Sequence, residues 1–228
     1  MPQDIIADRE EAGKLLAEKL IKFKNKDAII LSIPRGGVPV GFAIAKSLHL
    51  PLDLILTKKL SHPFNPEFAI GSVCNDTVML DSTSEVPPGY INSEIERIKK
   101  NLREKYQQYS GQEKFTEVKD RICIVVDDGI ATGNTVLATI KTLREKKPSS
   151  ILVAVPVLPF DNIGKIKSQA DDLVYLLAPR YFPSVGAFYR NFNQTEESEV
   201  KKLLDVNRKQ QQILDEEEEF FFNDDFLF

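Results

Sequence analysis

Residues 122–135 read Ile-Cys-Ile-Val-Val-Asp-Asp-Gly-Ile-Ala-Thr-Gly-Asn-Thr, an apolar run, two adjacent carboxylates and a small-residue turn. A branched apolar run without polar alternation predicts a strand buried on both faces of a parallel sheet. Val136, Leu137, Ile140 and Leu143 then recur at helical spacing, so the turn lies at a helix N-terminus. Free N–H groups at Gly133, Asn134 and Thr135, with the helix dipole behind them, favour a dianionic phosphate. Gly129 and Gly133 allow the backbone to approach a ligand, and the Thr132 and Thr135 hydroxyls add hydrogen bonds. Asp127 and Asp128, one turn away, suit the vicinal hydroxyls of a ribose carrying that phosphate. An ordinary strand-turn-helix connection explains the pattern poorly, because two uncompensated carboxylates at a strand end are costly without a ligand or metal.

Two other phosphate loops are excluded by residue type. A Walker A turn ends in Gly-Lys-Ser/Thr, whereas this one has Gly-Asn-Thr, and Gly-x-Gly-x-x-Gly is absent. A second candidate loop, Ser32-Ile33-Pro34-Arg35-Gly36-Gly37, also follows an apolar strand, Ala28–Ile33, and opens a helix through Val40, Ile44, Ala45 and Leu48. Its backbone N–H groups at Arg35, Gly36 and Gly37 and the Arg35 guanidinium suit a pyrophosphate. Ligands gather beyond the carboxyl ends of parallel strands, so the two loops are expected on one edge.

Leu52–Leu56 predicts the next strand, followed by Lys58 and Lys59, of which only one can face the ligand on an extended backbone. His62 to Glu67 contains two prolines and is expected as a loop on the same side, with Glu67 either holding an acceptor or metal-bound water, or capping backbone. His62 and His49 are expected to be a surface and a structural residue. Ala69–Val73 and Val78–Leu80 predict a short strand pair, and strands at 121–126, 151–157 and 173–177 alternate with the helix that carries Val136 to Leu143 and a short helix near 161–169. The alternation predicts a doubly wound, mainly parallel α/β sheet flanked by helices.

Two segments stand apart from this pattern. The insert at 81–120 carries Ile91, Ile95, Ile98, Leu102, Tyr106 and Tyr109 at near-heptad spacing, with a capping box from Ser93 to Glu96. It is either a helix packed on the surface or a hood or mobile arm beside the site. A last helix over 195–214 completes a single domain of 1–214. Beyond it, 215–228 is an acidic, aromatic tail, either disordered or docking its phenylalanines on a partner or a second subunit.

Composition excludes several function classes. The net charge is −4, but the last fourteen residues hold seven of the 34 acids and no base, so the rest of the chain is net positive. That suits a small anionic substrate and lacks the dense basic stripe of nucleic-acid binding. Cys74 and Cys123 form neither a metal nor a redox spacing, and no apolar run reaches membrane-spanning length. A cytoplasmic protein, with no membrane or nucleic-acid partner and with a homodimer left open, is the expectation.

The Asp127-Asp128 turn closely resembles the signature of the type I phosphoribosyltransferases, which bind 5-phosphoribosyl 1-pyrophosphate (PRPP). The resemblance covers about residues 5–205. Asp8-Arg9 with Ala12-Gly13, Pro34 to Val40, Lys59-Leu60, Asn65-Pro66-Glu67 with Ala69-Ile70-Gly71, and Val185-Gly186 with Phe188-Tyr189 and Phe192 are similar to one stand-alone bacterial subfamily whose acceptor is generally unassigned. It implies a type I phosphoribosyltransferase-like fold with a helical insert and a small C-terminal hood. It further implies Mg²⁺-dependent transfer of phosphoribosyl from PRPP to a nitrogenous acceptor, with release of pyrophosphate. In these terms Asp127, Asp128, Arg35 and Lys59 are catalytic, the two aspartates contacting the metal indirectly through water or ribose. Ala131, Thr132, Gly133, Asn134 and Thr135 hold the 5′-phosphate, and Arg35, Gly36, Gly37, Lys58 and Lys59 the pyrophosphate. Several family pyrophosphate loops contain a non-prolyl cis peptide, which is expected at Pro34–Arg35. An acceptor would draw on Glu67, Tyr181, Phe182 and Phe188, although most rings between Pro179 and Phe192 equally suit a small core. The 6-oxopurine members carry an aspartate where this sequence has Ala131, which disfavours that acceptor class. A PRPP-sensing regulator without turnover is the alternative.

Overall fold

Five apolar runs assemble in a computed structural model that describes residues 5–80 and 86–224, the side chains of Pro66, Glu67, Asp215 and 217–224 excepted. Strands β1 (Ala28–Ser32), β2 (Leu52–Leu54), β6 (Ile122–Val126), β7 (Ser150–Val157) and β8 (Asp172–Leu177) form one sheet in the order β2-β1-β6-β7-β8. Every pairing in it is parallel, and Ser32 and Val126 are in register at the carboxyl ends of β1 and β6. Successive residues of β1 serve opposite faces: Ile30 joins the core under the helices of one layer, Ile29 and Leu31 that under the other. Burial on both faces is why these strands read as unbroken apolar runs.

One layer contains α1 (Arg9–Lys19), α2 (Gly37–Leu48), α3 (Pro88–Ser110) and α6 (Glu197–Asp224); the other contains α4 (Asn134–Arg144) and α5 (Asn162–Lys167). Asp8 caps α1 by accepting a 2.9 Å bond from the Glu11 N–H. His49 ends α2 in the left-handed region, a structural role as expected. The free edge of β2 is closed by α6: buried Asn207 accepts from the Leu52 N–H at 2.8 Å and donates to the Leu50 carbonyl at 3.2 Å. The last helix runs on to Asp224, past the expected end at Leu214, and 225–228 lie outside the described residues.

A second sheet, β3-β4-β5, departs from the expected connectivity. Strands β3 (Thr57–His62), β4 (Asn65–Cys74) and β5 (Thr77–Leu80) are antiparallel, so the stretch expected as a loop at His62–Glu67 is a tight hairpin that turns at Pro63-Phe64. Pro66 is tolerated because the register shifts between Leu60 and His62, where a bulge needs no ladder N–H from it. The sheet is fastened to α4 by hydroxyl pairs, Thr57 to Thr139 at 2.8 Å and Ser72 to Thr142 at 3.1 Å.

The insert is one helix, α3, with Ile91, Ile98, Leu102, Tyr106 and Tyr109 buried as its spacing predicts. Its start differs from the expected capping box. Pro88 begins the helix before Ser93, whose hydroxyl instead donates to the Tyr90 carbonyl, because the fixed φ of proline favours the first helical position. Among the described residues no helix is long and apolar enough to cross a membrane.

Candidate functional site

The chain winds outward from β1 to β2, then returns to the other side of β1 to continue through β6, β7 and β8. The connections after β1 and β6 therefore diverge to opposite faces, leaving a crevice at the switch point, where open α/β sheets bind ligands. Both loops singled out in the sequence lie there. The Ile33 N–H donates to the Val126 carbonyl at 2.8 Å, tying the loops at their roots, and the Pro34–Arg35 peptide bond is cis. Gly36 touches the acidic loop so closely that a Cβ would stand 1.9 Å from Asp128 Oδ2, so a larger residue would have to displace that carboxylate.

Asp128 is held from three sides. Arg9 donates from Nε and Nη2 to Oδ2 at 2.9 and 2.7 Å, and the Tyr189 hydroxyl donates to the Asp128 carbonyl at 2.7 Å. Arg9 is fixed in turn by the Asn193 carbonyl at 2.7 Å and by the Phe192 ring, whose centroid lies 4.0 Å from Cζ. These partners belong to a strap over 185–195 that pairs with the N-terminal segment through Ile6–Phe188 and Asn191–Ala7 backbone bonds. Asp127 accepts from the Asp128 N–H at 2.9 Å. Burial raises both carboxyls. Asp127 is pushed well above the usual carboxylate range, with the Asp128 charge as the second cause, whereas the Arg9 hydrogen bond pulls Asp128 back down.

In the turn that opens α4, Gly133 has φ +83°, a conformation that favours glycine. Buried Asn162 at the head of α5 donates to the Ala131 carbonyl at 2.8 Å and fixes the turn from behind. Ala131, Thr132, Asn134 and Thr135 are exposed, and Thr132 Oγ1 accepts a 3.5 Å bond from the Asn134 N–H. The first amides of α4 point outward with no helical partner, as geometry requires.

A cleft of about 580 Å³ joins these features. Pro34 and Gly36 line it from the first loop, Thr57 and Lys58 from β3, Asp127, Asp128 and Thr135 from β6 and α4, and Asn101, Leu102 and Lys105 from α3. Of the two adjacent lysines on β3, Lys58 is in the cleft lining and Lys59, expected to be catalytic, is not.

Other expected residues are also displaced. The Arg35 side chain is not in the cleft lining; it is half-buried, and its charge acts on the Tyr109 hydroxyl near the α3–α6 junction. The tight turn presents Pro34 and Gly36 to the cleft. The Gly37 N–H is spent on the Ile33 carbonyl at 3.1 Å and cannot face an anion. Phe188 is a core residue, 1% exposed, stacked at 5.2 Å against half-buried Phe182, while Tyr181 is 77% exposed on the surface. The rings thus close a small C-terminal core around Ile6, Ala12 and Val157. The Glu67 side chain lies outside the described residues. His62 accepts the Phe64 N–H in the hairpin turn at 3.2 Å.

Arg9, Asn162, Asn101 and Lys105 had no assigned role in the sequence. Asp8-Arg9 did stand out as a similar segment, but its target, 119 positions away, is visible only in three dimensions.

The model of the phosphoribosyl transferase domain matches residues 3–183. A Mycobacterium tuberculosis protein whose name assigns it, provisionally, to the phosphoribosyl transferases is 37% identical over 205 residues, covering 87% of this chain and 46% of that protein. The chain thus spans about half the length of the curated relatives it matches. The crystal structure of TT1426 from Thermus thermophilus superposes with a TM-score of 0.78 at 33% identity, covering 88% of this chain and 97% of that one. The chain belongs to the phosphoribosyl transferase domain family, and its fold is the α/β fold of the type I phosphoribosyltransferases.

Proposed function

We propose that the protein transfers the 5-phosphoribosyl group of PRPP to a nitrogenous acceptor and releases pyrophosphate. The observation that carries this reading is the convergence, at one switch point, of an acidic pair, a phosphate-binding helix N-terminus and a second loop after β1. The head of α4, with Thr132 and Thr135, anchors the 5′-phosphate as a remote handle. Asp127 and the free oxygen of Asp128 orient the ribose hydroxyls and offset positive charge that develops at C1. Lys58 and the backbone around Arg35 and Gly36 face the departing diphosphate. The C1–oxygen bond breaks as the acceptor nitrogen closes on C1, and the acceptor proton passes to solvent.

Asp127 and Asp128 are the hard oxygen donors of the cleft, and among the described residues no three His, Cys, Asp or Glu side chains gather into a metal cage. That set fits Mg²⁺ held mainly by substrate oxygens and water, neutralising the leaving group when bound. Ala131 stands where the 6-oxopurine members carry an aspartate, which disfavours that acceptor class. The test is pyrophosphate release from PRPP and Mg²⁺ with a panel of nitrogen heterocycles. Release with at least one acceptor is expected. Tight PRPP binding with no release for any acceptor would replace the transferase by a PRPP sensor, and failure to bind PRPP would overturn both.

A further inference from the structure

The insert supplies the fourth wall of the cleft, and it does so rigidly. Tyr106 of α3 donates to the buried Asp53 carboxylate at 2.7 Å, Tyr90 to the Ser61 carbonyl at 3.0 Å, and Gln108 to Glu197 of α6 at 2.7 Å. Arg208 of α6 reaches the Ser110 carbonyl at the C-terminal end of α3 at 2.8 Å. A helix fastened along its length holds its cleft-facing side chains in place. Asn101 and Lys105 are four residues apart, hence on one face, and both line the cleft opposite β3.

A diphosphate calls for cations on the cleft walls. Arg9 is committed to Asp128 by two hydrogen bonds, and Arg35 does not line the cleft. Lys58 and Lys105 are its two lining cations, one on each wall. Lys105 is exposed and makes no ion pair among the described residues; its ammonium lies 5.8 Å from the centroid of the Tyr109 ring. An unpaired ammonium on a fixed wall, facing a second across a cleft, is arranged for a multiply charged anion.

We infer that Lys105 of the inserted helix and Lys58 of β3 grip the diphosphate from opposite walls, which makes α3 part of the substrate-binding machinery. This inference rests on the phosphoribosyl-transfer reading above. It keeps Lys58 from the expected pyrophosphate residues and adds Lys105, where Arg35 and Lys59 were expected to supply the remaining charge.

Calorimetric titration of PRPP, inorganic diphosphate and ribose 5-phosphate, each with Mg²⁺, into wild type and variants tests it. Lys105→Ala is expected to weaken diphosphate and PRPP about tenfold or more, with ribose 5-phosphate changed less than about twofold. Lys105→Arg should retain most of the affinity, and Lys100→Ala, on the same helix but outside the cleft lining, should change nothing. Unchanged diphosphate and PRPP affinity in Lys105→Ala would overturn the inference while wild-type PRPP binding leaves the function standing. Equal losses for all three ligands would also overturn it, by showing a structural or diffuse effect. Wild type that binds none of the three would overturn the function and the inference together.

Discussion

At the scale of single residues, the site depends on how Asp128 is held. Its carboxylate is largely buried, with 15% of the side chain exposed, and Arg9 supplies two hydrogen bonds to one oxygen. Arg9→Ala leaves that charge without its counter-ion, which costs about 3 kcal/mol in stability when a buried pair is broken. We expect a lower melting temperature and a fall in kcat/KM for PRPP of about tenfold or more, partly restored in Arg9→Lys. A variant with wild-type kinetics and melting would show that Arg9 is dispensable. Asp127 behaves differently, because burial and the neighbouring Asp128 charge both disfavour its ionised form. Asp127→Asn keeps an oxygen for the Asp128 N–H and removes that penalty. The variant should melt at or above the wild-type temperature at neutral pH while losing about a hundredfold in PRPP-dependent rate. Loss of both stability and rate would point to a structural role instead.

At the scale of elements, two joints position the site. Asn207 closes the edge of β2 with both ends of its amide, so Asn207→Ala strands a buried N–H and a carbonyl. The expected cost is about 1–3 kcal/mol, or a fall of roughly 2–4 °C in melting temperature per kcal/mol, with substrate affinity preserved. A change in PRPP affinity without a change in melting would contradict this purely architectural role. Gly133 turns the chain into α4 at φ +83°. Gly133→Ala forces an L side chain into that region, at about 1–2 kcal/mol, and should weaken ribose 5-phosphate and PRPP alike by shifting the head of the helix. Titration of both ligands checks it, and a loss confined to PRPP would mean that the turn does not hold the 5′-phosphate.

At the scale of the whole molecule, the unusual feature is a set of buried carboxyls held above their ordinary range. Burial is the leading cause for Asp53, Asp127 and Asp128 alike, opposed at Asp53 by hydrogen bonds from Thr116, Tyr106 and the Leu54 N–H. A folded-state pKa above the unfolded one means that the fold takes up protons as pH falls, so the penalty of the ionised groups is relieved through that range. The ligand-free protein should therefore melt at a higher temperature at about pH 5 than at pH 7. Further acidification reverses the gain, as Glu94 and Asp171, held low by Arg97 and Arg144, become protonated. Melting curves across pH test this, and a steady decline from neutral to mildly acidic pH would refute it. The parallel frame, the acidic pair and the glycine turn before α4 were legible in the residues because each is a local pattern. Apolar runs, a period of 3.6 and a glycine turn are set by neighbours along the chain. The alternation of strands and helices likewise implied that the loops after β1 and β6 share one edge. Three things were decided only by the tertiary structure. Which of Lys58 and Lys59 lines the cleft depends on how β3 sits between α3 and α4. Which cation meets Asp128 depends on a contact between positions 119 residues apart. The place of Lys105 in the cleft wall follows from the docking of α3. Side-chain direction across such distances is set by packing among distant elements, and no local pattern encodes it.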